Sequence, residues 1–248
     1  MKVIYILWLR QIKRYYRSRS RIIGSIAQPL LFLLAFGFGF GPIFQRAGGG
    51  SYIQFLVPGI IAMGILFTAV FSGIEIIWDK QFGFLKETLV APVSRLKIMI
   101  GRTLGGGTVA VIQGIIILIV SLFVGFHLPG PHMLLLSLVF MLLIAFLFAG
   151  LGTVIASPLN DMQGFQLIMN FLLMPLFFLS GALFPLQGLP KLFTIIASID
   201  PLSYGIDGLR GALVSGLNFG LFHDFLILSI ITATLFVIGS YLFSKIQI

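Results

Sequence analysis

The sequence predicts an all-α integral membrane protein with six transmembrane helices, organised as one domain over residues 1–248. Hydrophobic residues make up 58% of the chain and charged residues only 9%, too few to cover a water-soluble domain of this length. The mean hydropathy is +1.11, and the apolar residues form long runs that match the roughly 20 residues a helix needs to cross a bilayer. Such runs favour helices over a barrel. The predicted spans are residues 22–44, 53–78, 101–126, 133–156, 165–183 and 225–243.

Residues 1–21 predict an amphipathic helix that lies in the membrane interface before the first span. The apolar and aromatic side chains Tyr5, Trp8, Ile12 and Tyr15 share one side of this helix. The other side carries most of the positive charge, which suits contact with anionic lipid headgroups. The basic residues of the segment are Lys2, Arg10, Lys13, Arg14, Arg17, Arg19 and Arg21.

The positive charge lies on one side of the predicted topology. With six spans, residues 1–21, the loop 79–100 and the C-terminus share a side, and they hold nearly all of the Lys and Arg residues. The loop 45–52 on the other side has only Arg46. Because basic loops stay in the cytoplasm, we expect both termini to be cytoplasmic. The net charge of +9 is thus explained by orientation, and we expect no nucleic-acid partner.

The loop after the second span contains a short amphipathic segment. Phe82, Leu85 and Leu89 fall on one helical face, and Pro92 ends the helix. Two interpretations stay open at this point. The segment either docks in a groove of a soluble partner or lies on the lipid surface.

Residues 184–214, on the outer side, are broken by proline and glycine. Two apolar pieces remain, at about Pro190–Ile199 and Pro201–Val214, and neither is long enough to span a membrane. We expect a re-entrant helical hairpin that dips partway into the bilayer. The alternative is a pair of helices that lie flat on the surface.

No residue pattern indicates catalysis. The chain has no Cys and no phosphate-binding GxxxxGK[ST] motif, and its three histidines are far apart and form no metal or triad arrangement. We therefore expect a protein that is not an enzyme, with no catalytic residue and no metal site. Gly101 and Gly105 have the GxxxG spacing of close helix packing. Glu75 lies inside a span, either as a functional charge or turned toward Arg or Lys groups at the interface.

Two segments resemble the type-2 ABC transporter permeases, a group that includes drug-resistance and polysaccharide-export proteins. The first is GFLKETLVAPVSR at 83–95, which is closer to the drug-resistance type. The second, at 170–213, resembles the C-terminal signature of the family. With the six spans and the basic N-terminal helix, the resemblance extends over essentially the whole chain. The matching positions of the second segment are Pro175, Ser180, Gly181, Phe184, Pro185, Leu189, Pro190, Asp200, Pro201, Leu202, Tyr204 and Asp207–Arg210.

The resemblance implies the membrane subunit of an ATP-driven exporter in the cell (plasma or inner) membrane. Permeases of this family work as dimers, so we expect a second copy of this chain as a partner. Each half binds a separate ATP-binding cassette subunit, which carries ATP and Mg, so no cofactor is expected on this chain. The loop at about Asp79–Ala91 would supply the coupling helix that sits on the ATPase. The implied coupling residues are Phe82, Gly83, Phe84, Leu85, Lys86 and Glu87.

The resemblance also implies that the first and fifth spans line the dimer interface and the transport path, with an outer gate after the fifth span. The side chains of that span are mostly Leu, Met and Phe, which suits a hydrophobic or amphipathic cargo such as a drug or lipid. A polysaccharide or lipid-linked glycan is the alternative cargo, and an ATP-independent channel or secondary carrier is the alternative mechanism. The implied path residues are Asn170, Phe171, Met174, Phe177 and Phe178. The implied gate residues are Phe184, Pro185, Pro190, Pro201 and Tyr204.

Overall fold

The computed structural model describes residues 2–46, 50–85, 93–214 and 216–246, which form helices joined by turns without any β-strand. Six helical segments are long and apolar enough to cross a membrane, so the prediction of an all-α protein with six spans is confirmed. The candidate spans are Ile22–Arg46, Tyr52–Gln81, Arg95–Phe123, Pro131–Ala156, Met162–Leu179 and Leu221–Ser244. The helices are α1 (Lys2–Arg17), α2 (Arg19–Arg46), α3 (Tyr52–Phe71), α4 (Ile74–Gln81), α5 (Arg95–Phe123), α6 (Pro131–Ala156), α7 (Met162–Leu179), α8 (Lys191–Ile199), α9 (Pro201–Val214) and α10 (Leu221–Ser244).

The helix α3 occupies the centre of the bundle. In its most apolar stretch 72% of the residues are buried within the subunit, against 17% in α2, 22% in α7 and 11% in α10. The helices α2, α5, α6 and α9 surround it. The three most exposed spans therefore present most of their side chains to lipid or to another protein, and α3 carries the core.

The second span consists of two helices rather than one. The helix α3 ends at Phe71 and α4 begins at Ile74, with a turn at Ser72 and Gly73. A Cβ on Gly73 would overlap the backbone carbonyl of Gly152 in α6, so this turn sits at a point of direct backbone contact. The predicted limits 53–78 are wrong at the far end, because α4 continues to Gln81 and includes Asp79.

The fifth span begins and ends about three residues earlier than the predicted 165–183. Asp161 caps α7, and its carboxylate accepts hydrogen bonds from the backbone N–H groups of Gln163 at 3.2 Å and Gly164 at 2.7 Å. At the other end Gly181 adopts φ 77°, a left-handed conformation that terminates helices. The cap at Asp161 and the turn at Gly181 therefore set the two ends of α7, and the ends of the apolar run in the sequence do not.

The N-terminal helix α1 packs along α5. A Cβ on Gly105 would lie 2.6 Å from the Cβ of Gln11, so the close packing predicted from the glycine spacing is confirmed. Trp8 Nε1 donates to Thr108 Oγ1 at 3.0 Å, and the buried Tyr15 hydroxyl donates to Gln113 Oε1 at 2.8 Å. These two aromatic residues were expected at headgroup depth. Instead they donate to polar side chains of α5, where Gln113 Oε1 also accepts from the Ser25 hydroxyl at 3.0 Å.

The two pieces of the proline-rich stretch differ in environment. The helix α9 is enclosed by α3, α6 and α10, and nearly all of its residues are buried. Gly205 and Gly208 permit this, because a Cβ at Gly208 would overlap the Phe140 ring and one at Gly205 would crowd Ile144. The helix α8 instead exposes most of its apolar residues. This enclosure favours the hairpin over helices lying flat on the surface.

Candidate coupling site and transport path

A buried ionic cluster lies where α1, α4 and α5 meet, at what we call the basic end of the bundle. Asp79 Oδ2 accepts from Arg102 Nη2 at 2.5 Å, and Asp79 Oδ1 accepts from Arg10 Nη2 at 3.2 Å. The side chains of Asp79 and Arg102 are 8% and 4% exposed, whereas that of Arg10 is 33% exposed. One carboxylate therefore joins three helices in a largely desolvated position, where removing either partner is costly.

A second ion pair joins α1 and α4, one helical turn away from the first. Glu75 Oε2 is 3.6 Å from Arg14 Nη1, and the Glu75 side chain is 3% exposed. Arg10 and Arg14 are four residues apart on α1, and Glu75 and Asp79 are four residues apart on α4. The two guanidinium groups of α1 therefore lie beside the two carboxylates of α4. Arg14 also lies over the Trp78 ring, 5.0 Å from its centroid. Glu75 thus turns toward an arginine, as in the second of the two interpretations of this residue.

The predicted coupling residues begin directly after α4. Gly83 adopts φ 78° and interrupts the helix between Phe82 and Phe84. Phe82 is 79% exposed whereas Leu85 is fully buried. The prediction that these two side chains share one face is therefore wrong, because the glycine turn lies between them. Lys86 and Glu87 lie outside the described residues.

Phe84 connects the coupling segment to the ionic cluster. The guanidinium carbon of Arg10 is 3.7 Å from the centroid of the Phe84 ring, a distance typical of a cation–π contact. The predicted start of the coupling helix at Asp79 is corrected as well, because Asp79 belongs to α4 and is buried in the cluster.

The flanks of the loop 82–94 are tied to the ends of two other spans. Lys80 Nζ donates to the carbonyl oxygens of Ser157 at 2.5 Å and Leu159 at 2.9 Å, at the end of α6. Arg95 Nη1 donates to the carbonyl oxygens of Ser244 at 2.5 Å and Ile246 at 2.9 Å, at the end of α10. Cations in these positions satisfy carbonyl groups that helix ends leave free.

The predicted path residues fall on two different faces of α7. Asn170, Phe171, Met174 and Phe178 lie on the exposed face, where Phe171 is 84% exposed. Phe177 is fully buried, and its ring meets that of Phe32 edge-on at 6.2 Å. Its assignment to an open path is therefore wrong in this conformation. The reason is that it continues a buried stripe at intervals of four residues, formed by Phe165, Met169, Leu173 and Phe177.

The predicted gate residues do not form one cluster. Phe184, Pro185 and Pro190 are exposed, and Phe184 meets Phe40 of α2 edge-on at 6.4 Å. Pro201 occupies the first turn of α9, where its missing N–H is tolerated. Tyr204 is 7% exposed and donates its hydroxyl proton to the Ser198 carbonyl at 2.6 Å, which ties α9 to α8. Its observed contacts therefore fasten α9 to α8 and do not line an opening.

An anchor that sequence reasoning missed holds the turn after α7, at what we call the hairpin end. Arg210 of α9 donates to the carbonyls of Gly181 at 3.1 Å and Phe55 at 3.4 Å, and its guanidinium carbon lies 3.9 Å from the centroid of the Phe55 ring. The Tyr52 hydroxyl donates to the Leu183 carbonyl at 2.9 Å. Burial lowers the pKa of Arg210 to about 10, although Asp207 opposes the change, so the guanidinium keeps its charge at neutral pH. The signal in the sequence was an arginine inside an otherwise apolar segment.

Asp207 within α9 and Asp200 directly before it have separate roles. Asp207 accepts hydrogen bonds from the backbone N–H groups of Asn218 at 2.9 Å and Phe219 at 2.8 Å, and so fixes the loop before α10. Asp200 Oδ1 accepts from the Leu202 N–H at 2.8 Å, whereas Oδ2 is buried and makes no hydrogen bond. Burial raises the pKa of Asp200 to about 7, partly opposed by the Leu202 hydrogen bond.

A cavity of about 260 Å³ opens between α1, α2 and α3. Its walls combine apolar groups with a few polar groups, as ligand pockets do. The resemblance implied that the first span lines the path, but no residue of that span was singled out; Ser25 and Gln28 within the apolar run were the available signal. The lining residues are Tyr15, Gly24, Ser25, Gln28, Pro29, Met63, Gly64, Phe67, Thr68 and Phe71.

These features define a polytopic helical membrane protein with a buried ionic cluster at one end. Residues 2–46, 50–85, 93–214 and 216–246 contain no cluster of metal-binding side chains. Residues 2–214 match the family model described as ABC-2 type transporter, and the chain belongs to this family. It is therefore a membrane subunit of a transporter and not itself catalytic. ATP binding lies with a separate subunit, which is its implied partner.

Relatives with similar sequences include three kinds of permease. The putative transport permease ycf38 of Cyanophora paradoxa is 30% identical over 214 residues, covering 84% of this chain and 72% of the relative. Nodulation protein J of Rhizobium leguminosarum bv. trifolii is 30% identical over 208 residues, covering 83% and 76%. The inner membrane transport permease YadH of Escherichia coli K12 is 29% identical over 207 residues, covering 82% and 80%.

Proposed function

We propose that this chain is the permease of an inner-membrane exporter that moves a hydrophobic or amphipathic cargo, drug-like or lipid-like, outward by alternating access. A separate ATP-binding cassette subunit, carrying ATP and Mg, drives it from the cytoplasm, where both termini lie. The observation that carries the proposal is the contact of Phe84 with the cluster of Arg10, Asp79 and Arg102. It links the segment expected to touch the ATPase to three helices at once.

The contacts at the basic end support a stiff mechanical connection. Phe82 projects from the glycine turn as an exposed aromatic side chain, a type enriched in protein interfaces. A force on Phe82 or Phe84 passes to Arg10, and through Asp79 to Arg102. Because these charges are desolvated, separating them is expensive, so α1, α4 and α5 are expected to move together.

The exposed faces of α2 and α7 support a dimer of two identical copies. Both helices bury few of their residues within the subunit, and α7 directs Phe171, Met174 and Phe178 away from it. In a dimer these faces would meet around a path, with the cavity beside Gln28 and Thr68 opening to it. Walls of Phe, Met and Leu with few hydrogen-bonding groups suit an apolar or amphipathic cargo.

A glycan or lipid-linked glycan is the second candidate cargo. The observation in its favour is a series of aromatic rings that starts in α2 and reaches the outer turn. Phe32 stacks on Phe36 at 5.5 Å, Phe36 stacks on Phe40 at 5.5 Å, and Phe40 meets Phe184 at 6.4 Å. Sugar rings stack on such surfaces. Phe184 and the exposed prolines after it would close the path on the outer side.

Co-purification with the ATPase tests the coupling assignment. The chain is expressed with the ATP-binding cassette protein encoded beside it, and ATPase activity is measured after purification through a tag on the permease. Phe82→Ala should release the ATPase or uncouple its activity from export. The matched control is Phe123→Ala, which removes a similarly exposed ring, 87% exposed, at the far end of α5.

Two results would overturn parts of the proposal. If Phe82→Ala retains the ATPase and full export, the coupling site lies elsewhere. If no nucleotide-binding protein accompanies the wild-type chain under any condition that preserves its fold, an ATP-independent carrier becomes the leading function.

A further inference from the structure

A wide groove runs along α1 at the basic end, outside the contacts that bind α1 to α5. Its volume is about 1120 Å³. One wall is α1 with the turn after it, and the other is formed by Trp78 and Asp79 of α4 together with Phe82 and Phe84. The lining residues are Ile6, Leu9, Arg10, Lys13, Arg14, Arg17, Ser18, Arg19, Ser20, Trp78, Asp79, Phe82 and Phe84.

The groove holds a large excess of positive charge. Five of its lining residues are cations, and Asp79 is the single carboxylate among them. Arg10 and Arg14 are committed to Asp79 and Glu75. The remaining cations have no acidic partner within the described parts of the chain. These three are Lys13, Arg17 and Arg19.

Apolar groups lie beside these cations. Ile6 and Leu9 line the groove together with the Trp78 ring, and Ile6 is 60% exposed. Tyr16, next to the cationic positions of α1, is 80% exposed. Cations that alternate with exposed aromatic and aliphatic groups are typical of a helix at the boundary between headgroups and acyl chains. Cations without an acidic partner beside aliphatic groups match the anionic headgroup and the acyl chain of a phospholipid together.

We propose that this groove binds the phosphate headgroup of an anionic phospholipid from the cytoplasmic leaflet. Lys13, Arg17 and Arg19 supply the charge, and Ile6, Leu9 and Trp78 contact the first acyl carbons. This is a discrete site rather than the general attraction of a basic segment to a membrane. It rests on the cytoplasmic placement of α1 in the proposed function. A bound lipid would fill the space between α1 and the segment at 82–84, beside the Arg10 contact.

Quenching of tryptophan fluorescence tests the site. The chain has two tryptophans, and Trp8→Phe leaves Trp78, which lines the groove, as the single reporter. The full chain is reconstituted in phosphatidylcholine vesicles, to which brominated phosphatidylglycerol or brominated phosphatidylcholine is added in equal fractions. We expect at least about tenfold preferential quenching by the anionic lipid, because each Lys or Arg near an anionic membrane surface contributes about fivefold in affinity.

Removal of the charge should abolish the preference. The triple variant Lys13→Gln, Arg17→Gln, Arg19→Gln should quench equally with both lipids. The control removes three other cations at predicted cytoplasmic positions outside the groove, with the same change in net charge, and should keep the preference. Its substitutions are Lys2→Gln, Lys97→Gln and Lys245→Gln. Equal loss in both triple variants, or no preference in the parent protein, would overturn the proposal.

Two further arms distinguish other occupants. If inorganic phosphate at about 10 mM relieves the quenching at low lipid fraction, while chloride at equal ionic strength does not, the groove takes a soluble phosphate. If saturating ATP-binding subunit removes the lipid preference, the groove is a protein interface. Either result refutes a lipid site. None of these measurements requires ATP hydrolysis or export, so a failed exporter assay leaves them interpretable.

Discussion

Replacing Asp79 with Ala should destabilise the protein more than any other single change at the basic end. The substitution leaves Arg102, 4% exposed, without its carboxylate, and Arg102 Nε and Nη1 already lack hydrogen-bond partners. Breaking a buried ion pair from one side costs about 3–5 kcal/mol. Arg10, which is 33% exposed, contributes less because water can solvate it.

A double-mutant cycle isolates the pair. Free energies of unfolding are measured in detergent for Asp79→Ala, Arg102→Met and the double variant. Because the double variant removes both buried charges, it should regain most of the stability lost in Asp79→Ala. The coupling between the two sites should therefore be at least roughly 2–3 kcal/mol, because the cost of Arg102→Met alone adds to it. The double variant should nevertheless export poorly, since Arg10 beside Phe84 has lost its anchor.

The matched control is the neighbouring pair of Arg14 and Glu75. The Arg14 side chain is 34% exposed and the separation is 3.6 Å, so Glu75→Gln, which leaves the arginine accessible to water, should cost roughly 1 kcal/mol or less. If Asp79→Ala costs no more than this control, or if the cycle gives no coupling, then the cluster is hydrated and the argument for a stiff connection is refuted.

Three further predictions concern other elements. Phe177→Ala should cost about 3–5 kcal/mol of stability because the ring is fully buried. Phe178 is 44% exposed, so Phe178→Ala should change the export of different cargoes with little loss of melting temperature. Gly208→Ala should cost about 1–3 kcal/mol by crowding Phe140, while Gly39→Ala, with open space around it, should be neutral or stabilising by up to about 1 kcal/mol. Asp200 has a pKa raised from 3.8 to about 7, so its contribution to stability is present below pH 4 and lost as the pH rises to 7. Asp200→Asn should therefore flatten the dependence of the free energy of unfolding on pH in this range. An unchanged dependence would show that the carboxylate is solvated.

The sequence predicts the spans well because each is a long apolar run, and the spacing of Gly101 and Gly105 predicts close packing on α5, although not that α1 is the helix packed there. The sequence does not predict which face of a membrane helix is buried in the protein. In the helix of a soluble protein the exposed side is polar, but both sides of α7 are apolar. The polarity of the residues therefore does not distinguish the buried stripe that includes Phe177 from the exposed face that includes Phe178. Membrane helices therefore conceal which face meets protein.

Charged residues within or near the spans predict contacts between helices that the hydrophobic periodicity does not predict. Asp79 near the end of the second span and Arg102 near the start of the third lie at the same end of a helical hairpin, and this position alone predicts their pairing. Arg210 could have been treated in the same way. Its partners are carbonyl oxygens of Gly181 and Phe55, which no side-chain pattern reveals, so only its burial was predictable.

The two anchored ends suggest which parts of the permease move. At the basic end α1, α4 and α5 are joined through Asp79, and at the hairpin end α3, α9 and the turn after α7 are joined through Arg210 and Tyr52. The break at Ser72 and Gly73 lies between these anchors, within the span that connects them. A displacement of the coupling segment should therefore rotate α4 about this break more easily than it bends α3. Replacing Gly73 with Ala, which forces its Cβ against Gly152, should impede transport more than binding of the ATPase, and equal loss of both would contradict a hinge at this position.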